Sequence, residues 1–128
     1  MRKKAPFPEY PENIVSYYTE GRCWSLAWQL SKLGDLPIVT VGPSARWWYH
    51  VVVQPSPRRY LDIEGVCDKK KLRSSYGSGV RSLGRFATFD DYLRVLLNTE
   101  YESVLEDFDD PFVERTREIA KEILACVS

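Results

Sequence analysis

The sequence predicts an α+β domain. N-terminal helices, with a cysteine at a helix start, pack on a small antiparallel sheet at about residues 37–66, and two or three C-terminal helices follow. Three observations carry this. Apolar residues from Cys23 to Leu33 recur at helical spacing. Three short runs between Pro37 and Val66 are β-branched or alternating and are parted by Pro and Gly. Helical spacing then returns after Thr88. At 128 residues, 44% hydrophobic and 28% charged, the chain has the length for one domain, 1–128, and the apolar content to close its core.

The first eleven residues are Pro-rich, with Pro6, Pro8 and Pro11. Glu12–Thr19 reads as a short helix with Ile14, Val15, Tyr17 and Tyr18 as its apolar side chains, broken at Glu20 and Gly21. Arg22–Leu33 reads as a second helix, with Gly34 placed to take the left-handed conformation that ends it. Pro37–Gly42 (PIVTVG) and Trp48–Gln54 (WYHVVVQ) are expected to be strands. Arg59–Val66 (RYLDIEGV) is expected to be a third, with Leu61 and Ile63 on one face and Tyr60, Asp62 and Glu64 on the other. Cys67–Ala87, rich in Gly and Ser, reads as a short helix at Asp68–Arg73 followed by an irregular loop. Thr88 and Asp91 have capping-box spacing ahead of Tyr92, Leu93, Val95 and Leu96, in a helix or broken pair reaching about Phe108. Asp110 and Pro111 signal a last helix, amphipathic through Phe112, Val113, Ile119, Ile123 and Leu124.

The 18 Lys and Arg balance the 18 Asp and Glu, so no overall field draws the molecule to nucleic acid or an anionic membrane. The balance hides a division. Residues 1–88 hold 14 basic and 7 acidic side chains, and residues 89–128 hold 4 and 11. The simplest expectation is that an acidic C-terminal helical part docks beside a basic N-terminal part. No stretch approaches the roughly 20 apolar residues of a membrane helix. No apolar stretch follows Arg2, Lys3 and Lys4, so these are not expected to open a signal peptide. Cys23, Cys67 and Cys126 are odd in number and lack metal-ligand spacing, which suits a reducing, cytoplasmic setting better than a disulfide framework.

The order that carries chemistry is a helix starting near Cys23, then strands bearing His50 and Asp62. A thiol attacks as its thiolate, which the first turn of a helix favours; the imidazole must reach the sulfur, and a third group must fix the ring. A five-residue connection, Gln54–Arg58, would pair Val53 with Arg59 and hence His50 directly with Asp62. Opposed Cβ atoms lie about 4.5–5.5 Å apart, within reach of a hydrogen bond, whereas a register shifted by one would pair His50 with Ile63. Singly, each residue has a plainer reading: Cys23 as a small buried hydrophobe, His50 as a strand histidine bonded to backbone, and Asp62 as a hairpin carboxylate. Together they read as a Cys-His-Asp triad built on the one histidine of the chain.

GRCWSLAWQL, PIVTV, WYHVVVQ and YLDIEGV, across about residues 14–66, resemble the minimal core of the papain-like thiol enzymes, nearest the transglutaminase-like and NlpC/P60-like branches. Short bacterial or phage proteins with a G-x-C, an H-V-V strand and an L-D-I-x-G strand look similar too, with no activity attached to them. The resemblance implies Cys23 as nucleophile, His50 as general base and acid, and Asp62 as orienter. It implies thiol-dependent acyl transfer or hydrolysis at an amide or peptide bond, by a peptidase, amidase, deamidase or transglutaminase-like enzyme acting on a protein or peptide. The upstream glutamine of many papain-like oxyanion holes has no counterpart, since Gln29 and Gln54 both follow Cys23. The Cys23 backbone N–H and a hydroxyl from Tyr17 or Tyr18 are the candidates in its place.

Trp24 and Trp48 flank the proposed catalytic residues and are groove candidates, although core packing also accounts for such aromatics. Lys69, Lys70, Lys71 and Arg73 form a basic cluster that reads first as a solvated helix face and only second as a phosphate-binding patch. No metal or organic cofactor is expected. The alternative function is a non-catalytic protein-binding module, or a small phage-type inhibitor, on the same core.

Overall fold

A computed structural model describes residues 7–20, 22–44, 48–77, 82–97 and 111–127, with backbone alone at 82 and 95–97. The architecture is α+β, as expected: five helices and a five-stranded antiparallel sheet among the described residues. The chain runs α1 (Glu12–Thr19), α2 (Cys23–Gly34), β1 (Ile38–Gly42), β2 (His50–Ser56), β3 (Arg59–Asp62), β4 (Gly65–Cys67), α3 (Lys69–Tyr76), β5 (Ser82–Phe86), α4 (Phe89–Leu97) and α5 (Val113–Val127). The strand order is β4-β3-β2-β1-β5.

Both faces of the sheet are covered, which is why three valines can follow one another in β2. Val51 and Val53 join Leu26, Leu30, Ile38 and Leu61 in the larger core, shared with α4 and α5. Val52, between them, turns to a smaller core with Val39, Val41, Tyr60 and Leu72 of α3. His50 begins β2 and has the parity of Val52.

Four expectations need correction. The helix from Cys23 ends with Asp35, not Gly34, in the left-handed conformation, at φ 52°. An Asp tolerates that region better than most side chains, and Gly34 serves another need: a Cβ there would stand 2.9 Å from Leu124 Cδ2. The expected third strand is two strands, β3 and β4, separated by a turn at Ile63 and Glu64. The segment read as a loop after Arg73 continues the helix to Tyr76, and Ser82–Phe86 adds a fifth strand on the free side of β1. The hairpin register also differs. Ser56 faces Arg59 across a two-residue turn, and an irregularity at Gln54 and Pro55 brings Val53 opposite Leu61 instead of Arg59. Pro55 has no N–H for the ladder, so a bulge there costs no hydrogen bond.

The Thr88 cap is present, with Asp91 N donating to Thr88 Oγ1 at 3.1 Å. The expected continuation of that helix to Phe108 lies outside the described residues. Docking of the C-terminal part is apolar: α5 inserts Ile119, Ala120 and Ile123 into the core. Its ion pairs, Arg117 with Glu114 and Lys121 with Glu118, run along its own surface. Among the described residues no helix is long and apolar enough to cross a membrane.

Candidate active site

The three residues singled out in the sequence come from three elements. Cys23 is the first residue of α2, and no side chain caps that helix end. His50 is the first residue of β2 and is fully buried. Asp62 is the last residue of β3.

His50 and Asp62 meet although they are not opposed. Continuing the Val53–Leu61 register puts Asp62 across from Val52, on the face of His50 and one diagonal step away. A shift of two residues preserves the face where a shift of one would have reversed it. Diagonal neighbours lie within reach of extended side chains, and His50 Nε2 and Asp62 Oδ2 are 2.8 Å apart. The turn that ends β3 fixes the carboxylate: Asp62 Oδ1 accepts the backbone N–H of Glu64 at 2.8 Å. Gly65 completes that turn at φ 116°, a conformation that a side chain would strain. Breaking the expected long strand in two is thus what aims Asp62 at the imidazole.

With Nε2 engaged by Asp62, Nδ1 is left for the sulfur. It is buried and makes no regular hydrogen bond within the protein. Cys23 is nevertheless close enough to act on the ring. Burial by itself drives the His50 pKa down, but the Asp62 hydrogen bond, then the hydrogen-bonding influence and charge of Cys23 and the charge of Asp62, outweigh it and raise the imidazole to about 9.

Two tyrosines that the sequence reading did not select surround this group. Tyr76, in the last turn of α3, stacks on the His50 ring with centroids 5.1 Å apart. Burial, reinforced by the charges of Asp62 and Cys23, pushes its phenol well above the usual range. Tyr92 in α4 accepts a hydrogen bond from Trp48 Nε1. Burial raises its pKa and the Trp48 bond opposes this; the charge of Cys23 adds to the rise, to about 12. The order of residues carried no signal for either, because both contacts join segments distant in the chain. Trp48, named as a groove candidate, is the link to Tyr92.

The other candidates take different places. The Tyr18 hydroxyl shares a hydrogen bond with Thr116 of α5, and Tyr17 packs edge-on against Tyr18 and Phe112. Trp24 is buried beside Trp28, with the Arg22 guanidinium 5.8 Å from its ring centre. Lys69, Lys70, Lys71 and Arg73 lie on exposed positions of α3. An open cavity of about 440 Å³ reaches Asp62 and Tyr76 from the α3 side, with Arg59, Lys71 and Cys67 also in its wall. Cys67 has its thiol pushed up by burial and by the nearby Asp62 and Asp68. Among the described residues no three His, Cys, Asp or Glu side chains converge as metal ligands would.

Such an arrangement can hold a proton between a carboxylate-oriented imidazole and a thiol at an uncapped helix start, out of contact with water. Comparison with known proteins found no matching family model, no matching curated protein and no matching solved structure.

Proposed function

We propose that this protein carries out thiol-dependent acyl transfer or hydrolysis at an amide or peptide bond, with Cys23 as nucleophile, His50 as general base and acid, and Asp62 as orienter. The observation that supports this most is the 2.8 Å bond from Asp62 to Nε2 of a fully buried His50 whose Nδ1 is left for Cys23. A packing histidine needs no carboxylate held in place by its own turn. An imidazole with raised proton affinity takes the thiol proton, the sulfur attacks the carbonyl carbon, and the imidazolium returns that proton to the leaving amine. Water or an amine then resolves the thioester. Asp62 keeps the ring in one tautomer and offsets its positive charge, as the carboxylate of a serine triad does.

One observation favours a second reading, the non-catalytic binding module: Cys23 is only 3% exposed. Alkylation by iodoacetamide at about pH 6, resolved for each cysteine by mass spectrometry, separates the two. Accessibility alone ranks Cys67 and Cys126 ahead of Cys23, which is the buried one of the three. The enzyme reading puts Cys23 first in the native protein and removes that lead in His50→Ala. Labelling in order of exposure in both proteins would favour the binding module.

A further inference from the structure

The oxyanion that a thiol nucleophile creates needs donors, and Tyr92 has a hydroxyl arranged to supply one. Its side chain is fully buried, with its ring edge-on to Phe86 and Phe89 at centroid distances of 4.9 and 5.7 Å. Its oxygen already accepts the Trp48 indole N–H, which fixes the hydroxyl and leaves the O–H proton to be donated elsewhere. No acceptor for that proton is present among the described residues.

The ring lies against Phe86, in the row of Ile38 and Val53, while its hydroxyl is tied through Trp48 to the start of β2. Trp48 precedes His50 by two residues. Phe89, at the start of α4, stacks on Trp28 of α2, the helix that opens with Cys23. Tyr92 and Cys23 belong to one core cluster, and the phenol senses the charge of the sulfur. On the helix side, the backbone N–H of Cys23 is uncapped.

We infer that the Tyr92 hydroxyl, set by Trp48, donates a hydrogen bond to the oxyanion formed when Cys23 attacks an acyl group, alongside the Cys23 backbone N–H. This inference rests on the acyl-transfer reading and names a residue for it. The thiolate forms a bond to the carbonyl carbon as the C=O π pair moves onto oxygen, and the Tyr92 O–H and Cys23 N–H receive that charge. Collapse restores the C=O bond and expels the leaving group with its bonding pair, giving a thioester on Cys23.

The test contrasts two probes on the native protein, Tyr92→Phe and Trp48→Phe. p-Nitrophenyl acetate acetylates Cys23 through an oxyanion and releases p-nitrophenolate; iodoacetamide alkylates the same sulfur by displacement, with no oxyanion. Removing one oxyanion donor costs about 10²- to 10³-fold, so Tyr92→Phe should slow acetylation by that factor and leave alkylation of Cys23 unchanged. Trp48→Phe should show the same split with a smaller loss. Equal acetylation of native protein and Tyr92→Phe overturns the role of Tyr92 while the acyl-transfer reading stands. A parallel fall in both reactions also overturns it, because the hydroxyl would then serve only the packing around Cys23. A native Cys23 inert to both reagents overturns the acyl-transfer reading and this inference with it.

Discussion

Burial alone would strip His50 of its proton, and the carboxylate beside it reverses the outcome. A buried imidazole loses hydration that favours its charged form, yet Asp62 and Cys23 hold its pKa at about 9. This has a consequence for stability. The folded value lies above the unfolded one of about 6.5, so the stabilisation from this group is complete below about pH 6.5 and is lost as pH rises through about 9. The raised phenols act only above about pH 10, and the raised Cys67 thiol adds to the loss only at the top of this window, from about pH 8.5 upward. Thermal unfolding of the native protein should therefore shift to lower temperature across that interval, and Asp62→Asn should reduce the shift. A native midpoint that is flat, or a variant with the same slope, would contradict the Asp62 contribution. The three residues of this unit were legible in sequence because each has its own chemistry: one histidine, a cysteine at a helix start, an aspartate before a turn. Tyr76 and Tyr92 were not, since a tyrosine among apolar neighbours reads as packing until its long-range partner is known.

Elements were legible where periodicity and punctuation agreed. α1 and α2 begin within a residue of their expected starts, and the Thr88 cap opens α4. Sequence reasoning failed where Gly and Ser mask a strand: β5 (SLGRF) reads as loop, and it becomes a strand because β1 offers it an unpaired edge. The hairpin register failed for a different reason, a bulge next to Pro55 that depends on both strands at once. α3 is the element whose integrity reaches the site directly, since Tyr76 in its last turn covers His50. Its N-cap is Asp68, which accepts the Lys71 N–H at 2.8 Å. Asp68→Ala should cost about 1 kcal/mol in urea unfolding. It should also loosen the stack on His50, seen as a changed environment for the ring protons. An unchanged midpoint and an unchanged ring would show that α3 is held by Leu72 and Tyr76 without its cap.

At the scale of the whole molecule, the sheet is the device that gathers the site. β2 and β3 carry His50 and Asp62 on the face that α3 covers, while α2 brings Cys23 close enough to act on the His50 ring. The charge division between the two parts of the chain suggested an ionic docking that the described residues do not use. Ile119, Ala120 and Ile123 seat α5, and its ion pairs stay on its own surface, where such pairs contribute little. That outcome was hidden because charge counts locate side chains along the chain and not across the interface. Cys23 and Asp62, from two other elements, together raise the proton affinity of the buried His50 imidazole. Because His50 is the only histidine, an NMR titration of the imidazole reads it without ambiguity. The midpoint should lie near 9 in the native protein and lower in both Cys23→Ala and Asp62→Asn. A midpoint near the ordinary value of about 6.5 that neither substitution moves would contradict this.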